Sequence, residues 1–152
     1  MAYEGTEVPV ARSQEAIRKL IMSHGGYGVT FVSERDPGSP FAQEGFHAKV
    51  LIDQKPYAVR VMATVKSSTK RMTEKQQVAW QEKEERRIWR VLFYHLKSVF
   101  EAADSGVMEF RELMLPYLVT GNGKTIAEHV LPQLEAAIAG TNSKLLSSGV
   151  VQ

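Results

Sequence analysis

Between residues 27 and 65 apolar side chains alternate with polar ones, and on either side of that stretch they recur every three or four positions. The first pattern belongs to strands with one buried face, the second to amphipathic helices. Ser13 stands before Ile17, Leu20 and Ile21 as an N-cap, and Gly25 and Gly26 close a short helix. Residues 27–33 place Tyr27, Val29 and Phe31 on one face of a first strand. Residues 34–45, with two prolines and two glycines, read as a long loop. Two more alternating runs, 46–52 and 57–65, flank a short turn at 53–56 and predict a hairpin. Its last strand turns Arg60, Thr64 and Lys66 away from the apolar face.

After a polar, basic connector at 66–71, Thr73 and Gln76 form a capping box that opens a helix running to Asp104. No Gly or Pro interrupts residues 57–105. At 1.5 Å per residue this helix spans roughly 45 Å, far more than an average one. Ile88, Leu92, Leu96, Val99 and Ala103 form its apolar face, widened by Trp89, Phe93 and Phe100. Its first half has only Val78, Ala79 and Trp80 as anchors, too few to hold it against a core. Residues 107–119 read as a further helix, 121–123 as a turn, and Thr125 with Glu128 as the cap of a last helix over 126–139, bent at Pro132. The order α-β-β-β-α-α-α predicts a single α+β domain, with a three-stranded antiparallel sheet packed against a long central helix and C-terminal helices. An N-terminal arm occupies residues 1–11, the domain residues 12–139, and a tail residues 140–152.

A length of 152 residues with 43% apolar and 24% charged side chains suits one folded domain. The absence of cysteine removes disulfides, thiolate metal sites and cysteine nucleophiles, and fits a reducing cytosol. No secretory signal and no apolar run of membrane-spanning length is present, so the expected place is the cytoplasm, with no membrane partner. Net charge is only +2, but residues 60–100 hold ten Lys and Arg against four acids, while the remainder holds nine against thirteen. Such a split presents one positive region, which attracts polyanions.

The basic residues concentrate on the long helix. Arg87, Arg90, Tyr94 and Lys97 follow at spacings of three, four and three, a single stripe extended backwards by Lys83 and Arg86. Guanidinium groups beside an aromatic ring suit a phosphate backbone with stacked bases. Arg60, Lys66, Lys70 and Arg71 add charge from the third strand and the connector. The plainer explanation is a solvated face, with Glu82–Arg86, Glu84–Arg87 and Lys97–Glu101 as local ion pairs. Trp80, in a polar context, is a candidate anchor for a partner surface or a cap on the sheet edge. Residues 121–125 resemble a phosphate-binding loop superficially, but Leu118 stands where that motif needs glycine. A single anion at Lys124 and Thr125 is the most that this turn offers, beside its ordinary role as a capped helix start. The four histidines make no metal-ligand spacing, His95 reads as a core residue, and Glu34, Asp36 and Glu44 are loop acids that a cation could use. Catalysis has no positive support, and no cofactor is expected.

At VPVARSQEAIRKLI, YAVRVMATV and AWQEKEERRIWRVLFYHLKSVFEAADSGVMEF the chain resembles a group of small bacteriophage and prophage proteins. The resemblance covers most of the chain and implies a phage or prophage origin, hence the host cytosol. No activity is known for that group, so it assigns no residue a role. In topology, strands followed by a long helix are similar to the core of phage-type single-strand annealing proteins, and α-β-β-β-α to double-stranded-RNA-binding domains, whose basic helix start is replaced here by Glu74 and Lys75.

Three functions follow as expectations. The first is non-catalytic nucleic-acid binding, in phage recombination or replication, by a homo-oligomer. The second is docking on a host or phage protein, including counter-defence. The third is binding of a phosphate or nucleotide at the Lys124 turn.

Overall fold

The computed structural model describes residues 2–35, 41–66 and 71–148, with the side chains of 35, 41 and 141–148 outside the description. Helix α1 (Val10–Ser23) precedes strands β1 (Tyr27–Arg35), β2 (Phe41–Ile52) and β3 (Lys55–Lys66). Helix α2 (Glu74–Asp104) follows, then the short α3 (Phe110–Met114), a 3-10 turn (Leu115–Tyr117) and α4 (Ile126–Ser148). The strands form an antiparallel sheet in the order β1-β2-β3, so the domain is α+β as the residue pattern predicts.

The hairpin follows from its alternation. Phe46, Ala48, Val50 and Ile52 of β2 and Val59, Val61 and Val65 of β3 are buried in one core cluster with α1 and α2. Asp53 and Gln54 turn the chain with positive φ (51° and 65°), the left-handed pair that matches strand twist. Gly45 lies opposite Met62, and a Cβ there would stand 1.9 Å from the Val61 carbonyl oxygen, so only glycine lets the two strands pair. In β1 the register shifts between Tyr27 and Thr30, beside Gly28 at φ 64°. Tyr27 therefore points out, half exposed, while Val29 and Phe31 pack on the core.

Both long helices cover the same sheet face. Ser13 meets Arg90, and His24 meets Asp104, so α1 and α2 run side by side in the same direction. Ile88, Trp89, Leu92, Leu96, Val99 and Phe100 supply the buried face of α2. Residues 73–79 are exposed, as the shortage of apolar anchors predicts. The Thr73–Gln76 capping box is present in full.

Several boundaries differ from the sequence reading. The loop predicted at 34–45 is strand at both ends, because β1 runs to Arg35 and β2 starts at Phe41, and residues 36–40, Asp36 among them, lie outside the described residues. Glu34 and Glu44 are therefore strand residues, not loop acids. Ser13 is not an N-cap: α1 starts at Val10 behind Pro9, and Ser13 is fully buried inside the helix. The segment 107–119 is mostly not helical; Val107 is exposed, and a five-residue helix gives way to the 3-10 turn at Pro116. His95 is exposed rather than in the core, with Nε2 2.8 Å from the Tyr117 hydroxyl. Helix α4 continues through Pro132 and past Gly140 to Ser148. Its start is tied to the body: Ile126 donates to the Leu118 carbonyl at 2.9 Å, and the segment before it pairs with the edge of β3, where Val119 donates to the Ala58 carbonyl at 2.9 Å and Leu118 bridges Val59. Residues 130–140 are all exposed, including Val130, Leu131, Leu134 and Ile138.

Candidate functional site

The end of β3 and the first half of α2 lie side by side. Thr64 and Lys66 point off the open face of β3, and Trp80, Lys83, Glu84 and Arg87 share one side of α2 at spacings of three and four. With Glu4 they line a groove of about 290 Å³. Lys66 and Lys83 are exposed and Trp80 is half-buried along the groove wall. Trp80 and three of the basic residues, separate candidates in the sequence, thus line one groove.

Arg87 is partly committed inside the protein. Its Nε donates to both carboxylate oxygens of Glu84 at 3.2 Å, and its Nη2 donates to Glu84 as well. The Glu84 hydrogen bond, against the cost of burial, raises the pKa of Arg87 further beyond its ordinary range. Glu84 offsets the Arg87 charge and fixes its orientation, as in a positioned phosphate contact.

The stripe continues along α2. Arg90 donates from Nε and Nη2 to the Ser13 hydroxyl, both at 3.0 Å, and its guanidinium lies 5.0 Å from the Phe93 centroid and 5.6 Å from that of Tyr94. Lys97 stands 3.7 Å from Glu101 and 5.7 Å from the Tyr94 ring. Across Tyr94 lies Tyr3, its ring stacked at 5.0 Å. So Arg90, Tyr94 and Lys97 share the predicted side of the helix, but each already has contacts within the chain.

The remaining candidates fall elsewhere. Arg86 faces the other side of α2, in a depression with Glu7, Glu82 and Glu85, where its Nε is buried without a hydrogen-bond partner. Arg60, on the open sheet face, donates to the Gly123 carbonyl at 3.0 Å and pairs with Glu128, so it ties the start of α4 to β3. Arg71 is exposed just ahead of α2, and Lys70 lies outside the described residues.

At the Lys124 turn, the Thr125 hydroxyl accepts from the Glu128 amide and donates to the Glu128 carboxylate, both at 3.2 Å. The Arg60 hydrogen bond holds the Glu128 carboxyl below its ordinary pKa. A carboxylate of the chain's own therefore sits at this helix start. Lys124 is exposed and Thr125 is buried.

Sequence reasoning missed three features. Glu44 is buried, accepting from the Trp89 indole at 3.1 Å and from the Ser33 hydroxyl at 3.3 Å. His24 joins α1 to Asp104, and Tyr3 covers Tyr94. Each is a long-range pairing between residues with no local signal. Among the described residues no group of three or more His, Asp or Glu stands close enough to hold a metal ion. No described helix is long and apolar enough to cross a membrane.

No family model, curated protein or solved structure matches this chain.

Proposed function

We propose that the protein is a non-catalytic single-stranded nucleic-acid-binding protein of phage type, which uses the groove between β3 and the first half of α2. The observation that carries this reading is the meeting of Trp80 with Lys66, Lys83 and Arg87 in one open groove. An indole offers every base a stacking surface, and cations spaced around it take the phosphates, a combination that binds single strands with little sequence preference. A duplex keeps its bases stacked inside, so it has no use for Trp80. Lys66 and Lys83 supply mobile point charges, while Arg87 supplies an oriented fork.

Titration of labelled single- and double-stranded DNA and RNA by fluorescence anisotropy at two salt concentrations tests the reading. Single strands bind more tightly than duplexes, and Trp80→Ala weakens that binding. Equal binding of duplex and single strand, or binding indifferent to Trp80, contradicts it.

A second reading has one observation in its favour. Helix α4 leaves Val130, Leu131, Leu134 and Ile138 exposed, with Glu135 the only acid or base among residues 130–140. A helix so apolar and so little packed suits contact with another chain, a second copy or a host or phage protein. Sedimentation velocity over a range of concentrations checks the second-copy form of this reading: Leu131→Asp with Ile138→Asp lowers self-association, and a wild-type protein that stays monomeric throughout removes it.

A further inference from the structure

Residues 2–9 cross α2 over the basic stripe. The Tyr3 ring lies on Tyr94 with 7° between the planes and 5.0 Å between centroids. The next residue, Glu4, lines the groove beside Trp80, Lys83 and Arg87. Parallel ring planes are the geometry that a base adopts on a tyrosine. Tyr3 holds a left-handed backbone, φ 61°, inside a turn closed by Thr6 N donating to the Tyr3 carbonyl at 3.1 Å. A tyrosine keeps that conformation only where its surroundings hold it.

We propose that this arm is a built-in competitor: Tyr3 occupies the base position of a second subsite, made by Tyr94 and Arg90, which a single strand takes when the arm lifts, while Glu4 flanks the Trp80 groove without closing it. The inference rests on the groove reading above and extends it along the helix. From Trp80 to Lys97 the stripe measures about 25 Å at 1.5 Å per residue. With the arm seated, only the Trp80 end is open. A tethered competitor acts at high effective concentration, so a few weak contacts are enough to hold it. Tyr3 keeps 41% of its surface exposed, so lifting the arm uncovers little.

The test compares the full chain with its Tyr3→Ala/Glu4→Gln variant, titrated at low salt against labelled oligothymidylates of two lengths, one short enough for the Trp80 end alone. Both substitutions are at exposed positions, and thermal melts by circular dichroism confirm that the fold is kept. The variant binds the longer oligonucleotide about fivefold more tightly or better, as releasing a mostly closed site requires. The shorter one gains little, and adding Tyr94→Ala to the variant cancels the gain. Equal affinity of the two chains overturns the inference and leaves the groove reading standing. Weaker binding by the variant also overturns it, because the arm is then part of the contact surface. If neither chain binds any oligonucleotide, both readings fall. A synthetic peptide of residues 2–9 that binds the variant where oligonucleotides do not assigns the subsite to acidic peptides and overturns the inference as stated.

Discussion

The His24 ring joins the ends of the two long helices: its Nε2 lies 2.8 Å from the Asp104 carboxylate while its Nδ1 lies 2.8 Å from the Leu20 carbonyl. Both partners are acceptors, so both bonds are made only by a ring that carries two protons. The ring also stacks on Phe100 at 4.0 Å and caps α1 at its C-terminal end, where the helix dipole favours positive charge. Burial works against the charged ring, but the Asp104 hydrogen bond, the Leu20 carbonyl and the Asp104 charge outweigh it, and the pKa rises above its ordinary 6.5.

Stability therefore depends on pH in a fixed direction. A histidine whose pKa is higher when folded than when unfolded stabilises fully below the unfolded value and loses that contribution as pH rises through the folded one. Urea unfolding at a series of pH values from 5 to 9 shows this decline starting above about 6.5. His24→Gln and Asp104→Asn each flatten it. The side chain is partly exposed and Asp104 more so, which keeps the effect modest.

Gly45→Ala places a methyl carbon against the Val61 carbonyl and the Met62 backbone, where the Cβ would lie 1.9 Å and 2.8 Å from them. Neither neighbour is a flexible side-chain end. The strands separate or β2 bends, at a cost of about 3 kcal/mol or more, read as a lower urea midpoint.

The two tryptophans respond unequally to the same change. Trp89 is 2% exposed and donates its indole N–H to buried Glu44, with the Phe31 ring edge-on at 5.6 Å. Trp89→Phe removes a donor from a buried carboxylate and costs about 1–3 kcal/mol. Trp80→Phe, in the open groove, stays within about 0.5 kcal/mol of the parent. Acrylamide quenches the fluorescence of Trp80 more than that of Trp89, which the single-Phe variants separate.

Helix α4 contributes little to the stability of the body. Leu134 keeps 42% of its surface exposed, whereas Leu92 keeps 5%. Leu92→Ala costs about 2–5 kcal/mol as a core truncation. Leu134→Ala stays within about 0.5 kcal/mol at low protein concentration. Chemical denaturation of the two variants at matched concentration checks the contrast.

What could be read in the sequence was what neighbouring residues determine. Alternation at 46–52 and 57–65 gives the hairpin faces, Thr73 with Gln76 gives the start of α2, and Ile88 to Phe100 gives its buried side, all as found. Glycines and prolines misled at 34–45, because Phe41 to Gly45 pairs in register with residues 62–66 despite its turn-forming composition. Apolar periodicity gave the last helix correctly, but it carries no information on burial, and the leucines and isoleucine of α4 are exposed. The site was half legible. The stripe on α2 follows from spacing alone, but the groove needs Lys66 of β3 beside Trp80 and Lys83, a juxtaposition of two elements that no local pattern encodes. The covering of Tyr94 by Tyr3 spans some ninety residues of chain and leaves no trace in local pattern.

The salt dependence of single-strand binding tests the central claim most directly. Plotted as log affinity against log salt, the wild-type slope is about −2, as Lys66, Lys83 and Arg87 each displacing a counterion requires at roughly −0.7 per phosphate. Lys66→Ala with Lys83→Ala brings the slope to about −0.7, whereas Trp80→Ala weakens binding roughly tenfold and leaves the slope unchanged. No binding at low salt, or a slope and affinity untouched by all three substitutions, contradicts the account.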